Sequence, residues 1–459
     1  MKRDAPAGAD SAGDPYLPGS GNAGYRVRHY DLDLDYAMSS NRLSGLARLS
    51  VTTTQRLGRL SLDLAGVRVA KVSVGGRRRT KYAHRGRKLH VWLDDGVEAG
   101  TELAIDVHYS ANPGPLKGPW GEVGWEELTD GVIVAGQPDG APSWFPCNDD
   151  PGDKAAYRIR FTTDSPYTVV CNGELVEQTV RGSRTTWVFD QREPMATYLA
   201  TVQIGRYVVF DTAKGETSKN GVKTTVPQCA AVPQRLLPAF ERDFGRQVRM
   251  MKLFQRLFGP YPFSRYTVVV TDDELEIPLE AQGISIFGAN HVDGRRTSER
   301  LVAHELAHQW FGNSLTVGRW RDIWLHEGFA CYAEWLWAQE AGGDTADTLA
   351  RRHHKRLRDL KQDLVLADPG PKLMFDDRVY KRGALTLHAL RLTVGDDSFF
   401  DLLRTWSGRY RHATVSTAEF VECAREVSPR PLEDLFERWL SRSALPDLPS
   451  ARPGSGGSR

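Results

Sequence analysis

The stretch LVAHELAHQWFGNSLTVGRWRDIWLHEGFACYAEW, residues 301–335, decides how this chain is read. Leu301, Val302, Leu306, Ala307 and Phe311 recur at helical spacing and predict a helix over roughly 298–311. His304 and His308 stand four residues apart, so their imidazoles leave the same helix face one turn from each other. That spacing lets two ring nitrogens reach a single Zn²⁺ at about 2.0–2.1 Å. Glu305 follows one residue on, about 100° around the helix by its 3.6-residue period. It cannot share the ligand face, but it can flank the attacking water, where a general base must be.

A catalytic zinc site normally takes a third protein ligand, often a carboxylate. Gly312-Asn313 ends the first helix, Ser314–Trp320 returns the chain as a short strand, and a second helix runs from about Asp322 to Gly342-Gly343. Glu327 falls on its second turn, with eighteen residues between it and His308. Helix, return and helix can set that carboxylate opposite the histidine pair. His304, His308 and Glu327 are therefore the expected ligands of one zinc ion per chain, with Glu305 as general base. A chance HExxH on a core helix is the bland alternative, and the register of Glu327 weighs against it. Glu334, seven residues past Glu327, lies on nearly the same face; it either orients a histidine through the second ring nitrogen or faces solvent. His326 adjoins Glu327 but points elsewhere on the helix and is not counted as a ligand.

Outward from this stretch the chain changes character. Residues 1–24 are rich in Gly, Ala, Pro and Asp and read as a flexible tail. From Tyr25 the period is two: Tyr30, Leu32, Leu34 and Tyr36 alternate with Asp31, Asp33 and Asp35, as in a half-buried strand. Similar strands follow to about Arg206, giving an all-β domain over 25–206. Residues 207–445 are mixed and then helical, with helices expected near 234–258, 298–311, 322–341, 345–363, 379–394, 397–410, 417–427 and 431–441. The Pro/Gly/Ser-rich stretch 446–459 reads as a second tail. The expected fold class is α+β and multidomain.

Of 459 residues 26% are charged, yet the formal net charge is only +2, which argues against a nucleic-acid binder. No apolar run is long enough to span a bilayer, and Lys2-Arg3 is not followed by the apolar core of a secretory signal. Five scattered cysteines without a CxxC pair fit a reducing compartment, and a cytoplasmic location and a monomeric state are the expectations. The basic runs 77–88 and 351–358 read as a solvated hairpin and a solvated helix face.

The segment 304–334 resembles the zinc signature of the gluzincin aminopeptidases, the family of alanyl aminopeptidase, puromycin-sensitive aminopeptidase and leukotriene-A hydrolase. His304, Glu305, His308, Trp310, Phe311, Gly312, Trp320, Asp322, Trp324, Glu327, Gly328, Tyr332 and Glu334 all fall on family positions. The resemblance extends from the strands near Tyr30 to about Leu440. It implies a saddle-shaped N-terminal β domain followed by a thermolysin-like mixed α/β catalytic domain. It also implies a short form without the helical C-terminal domain of many relatives, hence a more open site.

The same resemblance implies further roles. Family members hold the substrate's free amine with a Gly-Ala-Met-Glu-Asn loop. Here Ile277-Pro278-Leu279-Glu280-Ala281 keeps only the glutamate, and Pro278 has no N–H to offer a substrate strand. Glu280 is the expected amine anchor. Gln137 and Asp139 match polar residues that help hold the amine, although Pro138-Asp139-Gly140 is equally a turn signal. Tyr380 matches the tyrosine that donates to the developing oxyanion, while the Glu-Lys pair after it has become Lys381-Arg382. The implied function is removal of the N-terminal residue from peptides with a free N-terminus. An endopeptidase on the same site is the nearest alternative, and a non-catalytic peptide-binding protein a more distant one.

Overall fold

The computed structural model describes residues 6–77, 80–217 and 223–450. They form two compact units, one of residues up to Asp243 together with Phe263–Arg296, the other of Phe244–Pro262 and the chain from Thr297.

The first unit is built of sheets. Its largest has seven strands, in the order Glu174–Arg181, Arg184–Met195, Ala155–Asp164, Tyr25–Ala37, Arg42–Thr53, Glu102–Ala111 and Val67–Val74. Tyr25–Ala37 pairs antiparallel with Arg42–Thr53 and parallel with Ala155–Asp164. Its alternation is the expected one, with Tyr30, Leu32, Leu34 and Tyr36 fully buried. A separate five-stranded sheet joins Tyr207–Ala213 and Gln228–Pro233 to Tyr266–Val270, Ile284–Phe287 and, at its edge, Leu279–Ala281.

All five strands of that sheet follow the expected boundary at Arg206, and by their contacts they group with the first unit. The strands after 206 pair with strands beyond 263, so the chain leaves the first unit after Asp243 and returns to it for Phe263–Arg296. Within the described residues, the stretch expected as a tail over 1–24 is packed. Asp14, Tyr16, Leu17 and Asn22 are buried, and Asp10 pairs with Arg59 at 2.9 Å. Asn22 donates to Asp63 at 2.8 Å, and Lys88 Nζ reaches the Gly21 carbonyl at 2.8 Å. Its apolar Tyr16 and Leu17 outweigh the flexible composition around them. Lys88 is thereby a partner of buried groups, not the solvated end of a basic run. Residues 1–5, 78–79 and 451–459 lie outside the described residues.

Helix α1 (Leu237–Asp243) belongs to the first unit. The second carries α2 (Gln247–Phe258), α3 (Glu299–His308), α4 (Trp324–Glu340), α5 (Ala346–Arg358), α6 (Asp377–Val394), α7 (Asp396–Arg409), α8 (Thr417–Val427) and α9 (Glu433–Phe436). The single helix expected over 234–258 is broken at Phe244–Arg246. There the buried Asp243 carboxylate turns to accept from the backbone of Asp293, Gly294 and Arg296.

Helix α4 is the core of the second unit, buried from Trp324 through Trp337. A helix apolar on all sides must be covered on all sides. Against α6 the cover is backbone on backbone: a Cβ added to Gly328 would lie 2.8 Å from the Gly383 Cα, and one added to Gly383 would lie 2.7 Å from the Gly328 Cα. The N-terminal end of α4 is tied to α8, since Asp322 accepts from the Thr417 hydroxyl at 2.6 Å and Trp324 Nε1 donates to it at 2.9 Å. The turn after α3 needs Gly312, whose φ is +126°. Beyond α9, Arg382 donates from within the core to the carbonyls of Leu364, Arg438, Trp439, Arg442, Ser443 and Ala444. His354 bonds the Pro446 carbonyl at 2.8 Å, so the second expected tail is held at least that far. No described helix is long and apolar enough to cross a membrane.

The glycine contact yields a signed prediction. Alanine at position 328 gains about 1 kcal/mol of helix propensity but overpacks the crossing, which costs about 1–3 kcal/mol. Because the clashing atoms are backbone, the cost dominates. Gly328→Ala should lower the denaturant midpoint, and the double variant with Gly383→Ala should depart from additivity.

Candidate metal centre

Helices α3 and α4 meet along a row of side chains. On α3, Arg300, His304 and His308 recur every fourth residue and share one face. On α4, Glu327 and Glu334 stand seven residues apart and face them. The two sets interleave. Glu334 lies between Arg300 and His304, with Arg300 Nη1 3.0 Å from both of its oxygens and His304 Nδ1 2.7 Å from Oε1. Glu327 lies between the histidines, its Oε2 3.4 Å from His304 Nε2 and 3.5 Å from His308 Nε2. All four inner residues are buried.

The partners fix the tautomers. His308 Nδ1 is 3.0 Å from the Phe311 carbonyl, and a carbonyl can only accept, so that nitrogen carries the proton. His304 Nδ1 likewise donates to the Glu334 carboxylate. In the neutral form that binds a metal, both Nε2 lone pairs therefore face the side on which Glu327 lies. One ligand atom from each of His304, His308 and Glu327 falls within 4.8 Å of the others. The imidazoles stand edge to face with centroids 4.7 Å apart.

The electrostatics favour positive charge at this spot. Burial alone would push His304 down, but its hydrogen bonds with Glu327 and Glu334 outweigh burial and lift it to about 9. Burial would raise Glu327, yet the charges and hydrogen bonds of His308 and His304 hold it far below the usual carboxylate range. Glu334 is also held low against burial, by His304 first and then by the charges of Lys381 and Arg300. Two imidazole nitrogens and one carboxylate, closely gathered and buried, fit a zinc ion in chemistry and number. The orienting bonds from Glu334 and Phe311 are the outer partners such ligands require.

The remaining expected site residues are also placed. Glu305 is buried on α3. Tyr380 leaves α6 one turn before the Gly383 contact, its ring 6.2 Å from that of His304 and nearly parallel to it, at 19°. His326 is turned away, its Nε2 accepting the Val317 N–H at 2.9 Å. In the first unit Gln137 Nε2 donates to Glu280 Oε1 at 2.7 Å, so two of the expected amine-binding residues meet there. Asp139 is engaged otherwise: its carboxylate is paired with Arg87 at 2.8 Å. Sequence reasoning missed Arg300 and Lys381. Arg300 was detectable as the residue one turn before His304; nothing local marks Lys381.

Helix-borne histidines with a carboxylate from the next helix define an HExxH-type metallopeptidase site. Comparison with known proteins gives the particular family. Residues 27–199 match the peptidase M1 N-terminal domain and residues 242–439 the peptidase family M1 domain. An M1 zinc metallopeptidase from Deinococcus radiodurans is 30% identical with a TM-score of 0.88, covering 97% of this chain and 100% of its own. A mutant M1 zinc metallopeptidase from the same organism, bound to a Tyr-Ser-Ala substrate, gives 30% identity and a TM-score of 0.87, covering 96% of this chain and 100% of its own. Glutamyl aminopeptidase of Mus musculus is 26% identical over 91% of this chain and 47% of its own length. This chain belongs to peptidase family M1. It spans about half the length, or less, of the curated relatives it matches.

The ligand set predicts that chelation lowers the melting temperature, because zinc binds the folded state. Glu327→Ala should weaken zinc by more than the roughly 10–100-fold that losing an outer partner costs. Thermal melts with and without chelator read the first, and competition with a chromogenic chelator the second; a variant as tight as the parent would exclude Glu327 as a ligand.

Proposed function

We propose that this chain is a zinc aminopeptidase that hydrolyses the first peptide bond of substrates with a free N-terminus. The observation that carries the reading is the buried His304–His308–Glu327 set with Glu305 on the same helix, in a chain of family M1. A zinc ion held by these residues supplies a Lewis acid that polarises the scissile carbonyl and brings the pKa of a water toward about 7.

The protein's own groups do the rest. Glu305 takes the proton as water attacks and delivers it to the leaving amine. Tyr380 donates its phenol O–H to the carbonyl oxygen as negative charge develops there. Its nearly parallel approach to the His304 ring supports that assignment. Glu280 binds the substrate's ammonium group, and Gln137 orients Glu280 through the 2.7 Å hydrogen bond, so that only the first bond is presented for attack. Asp139 is left to Arg87 and to the turn in which it lies. The working form in this reading is a monomer in the cytoplasm, a reducing compartment that fits five buried free thiols.

Three experiments test it. Glu305→Gln should retain stoichiometric zinc yet lose nearly all turnover of aminoacyl fluorogenic substrates; near-parental activity would remove Glu305 as the base. N-terminally acetylated peptides should resist cleavage while their free counterparts are cut. Rapid cleavage of blocked peptides would instead establish the endopeptidase alternative. Tyr380→Phe should lower kcat with little change in KM, because its hydrogen bond strengthens only as the oxyanion forms.

A further inference from the structure

The two histidines are oriented by unlike means. His308 leans on the Phe311 carbonyl, a neutral acceptor fixed by its own chain just past the helix. His304 leans on Glu334, a carboxylate from a different helix, only 4% exposed. An ionised carboxylate that deep is costly unless it is paired and its lone pairs are used. One side chain does both: Arg300 Nη1 lies 3.0 Å from each Glu334 oxygen, while its own side chain remains 57% exposed at the outer end of the row. A second cation stands nearby. Lys381 Nζ, from α6, donates to the sulfur of Cys331, which lies between Glu327 and Glu334 on α4.

We propose that Arg300 is a positioning residue for the metal centre: by pinning the buried Glu334 carboxylate it fixes the tautomer and aim of His304, and so sets how tightly the protein holds zinc. This rests on the zinc reading above. It assigns a function to a residue that touches neither the metal ligands' donor atoms nor any substrate-binding group. Losing Arg300 has opposed effects. Removing a positive charge favours a nearby cation in simple Coulomb terms, but Arg300 is largely exposed and that gain is screened. The loss of orientation acts on a buried ligand and dominates.

The test is zinc affinity, read by competition with a chromogenic chelator on protein stripped of metal and confirmed folded by circular dichroism. Arg300→Met should weaken zinc about tenfold or more, in the range found for outer partners of metal ligands, and Arg300→Lys should restore it to within about threefold of the parent. In a Glu334→Gln background Arg300→Met should cause no further loss, because its route to the metal is already cut. Affinity unchanged or tightened in Arg300→Met, or the same loss persisting in the Glu334→Gln background, would overturn the inference. Should Arg300→Met fail to fold, Arg300→Gln takes its place, and a Gln variant as tight as the Lys variant is equally fatal. A parent protein that binds no zinc at all would instead bring down the site reading on which this stands.

Discussion

Everything at the metal centre depends on one interleaved row in which Arg300, Glu334, His304, Glu327 and His308 alternate from α3 and α4. Each carboxylate sits between two nitrogen-bearing neighbours, so none of the buried charge is left uncompensated. Such a row is costly to build, because removing one member strands its neighbours in a low-dielectric interior. It is also self-aligning. A shift of α3 along α4 by one residue would rotate every member out of contact, since facing residues recur only at three- and four-residue steps.

The rest of the second unit keeps those two helices in register. Gly312 allows a turn with φ of +126° that brings the chain back toward α4. Thr417 ties the start of α4 to α8 through Asp322 and Trp324. Gly328 and Gly383 let α4 and α6 meet backbone to backbone, immediately beside Glu327 and one turn from Tyr380. The close crossing thus couples the Glu327 carboxylate, the proposed third ligand, to the tyrosine expected to act with it. Two absent side chains place two present ones.

The departures from the family pattern find different uses. Arg382, in the place of a family lysine, is turned into the core as a clasp for the chain after α9, its guanidinium donors spent on backbone carbonyls. Lys381, in the place of a family glutamate, adds positive charge near Glu334. Asp139 is held by Arg87, while Glu280 keeps Gln137 as its partner. The Gln137–Glu280 pair proposed to bind the amine is thus in contact although the residues around Glu280 depart from the family loop.

Sequence by itself pointed to His304, His308, Glu327 and Glu305 as the candidate site and determined the alternation of the first strands. These follow from short-range periodicity: a four-residue step aligns two histidines, and a two-residue step buries Tyr30 through Tyr36. The helices of the second unit were legible for the same reason, apart from the break at Phe244–Arg246. What it left open required knowing which distant segments meet. Whether Glu334 faced water or a histidine, whether Asp139 was free, and where the first unit ended each turned on pairing across tens or hundreds of residues. The packing of residues 6–24 was hidden because their composition is that of a tail, and only the surface they meet makes burying Tyr16 and Leu17 favourable. Local pattern pointed to the chemistry of the candidate metal centre; tertiary packing decided which side chains hold those residues in place.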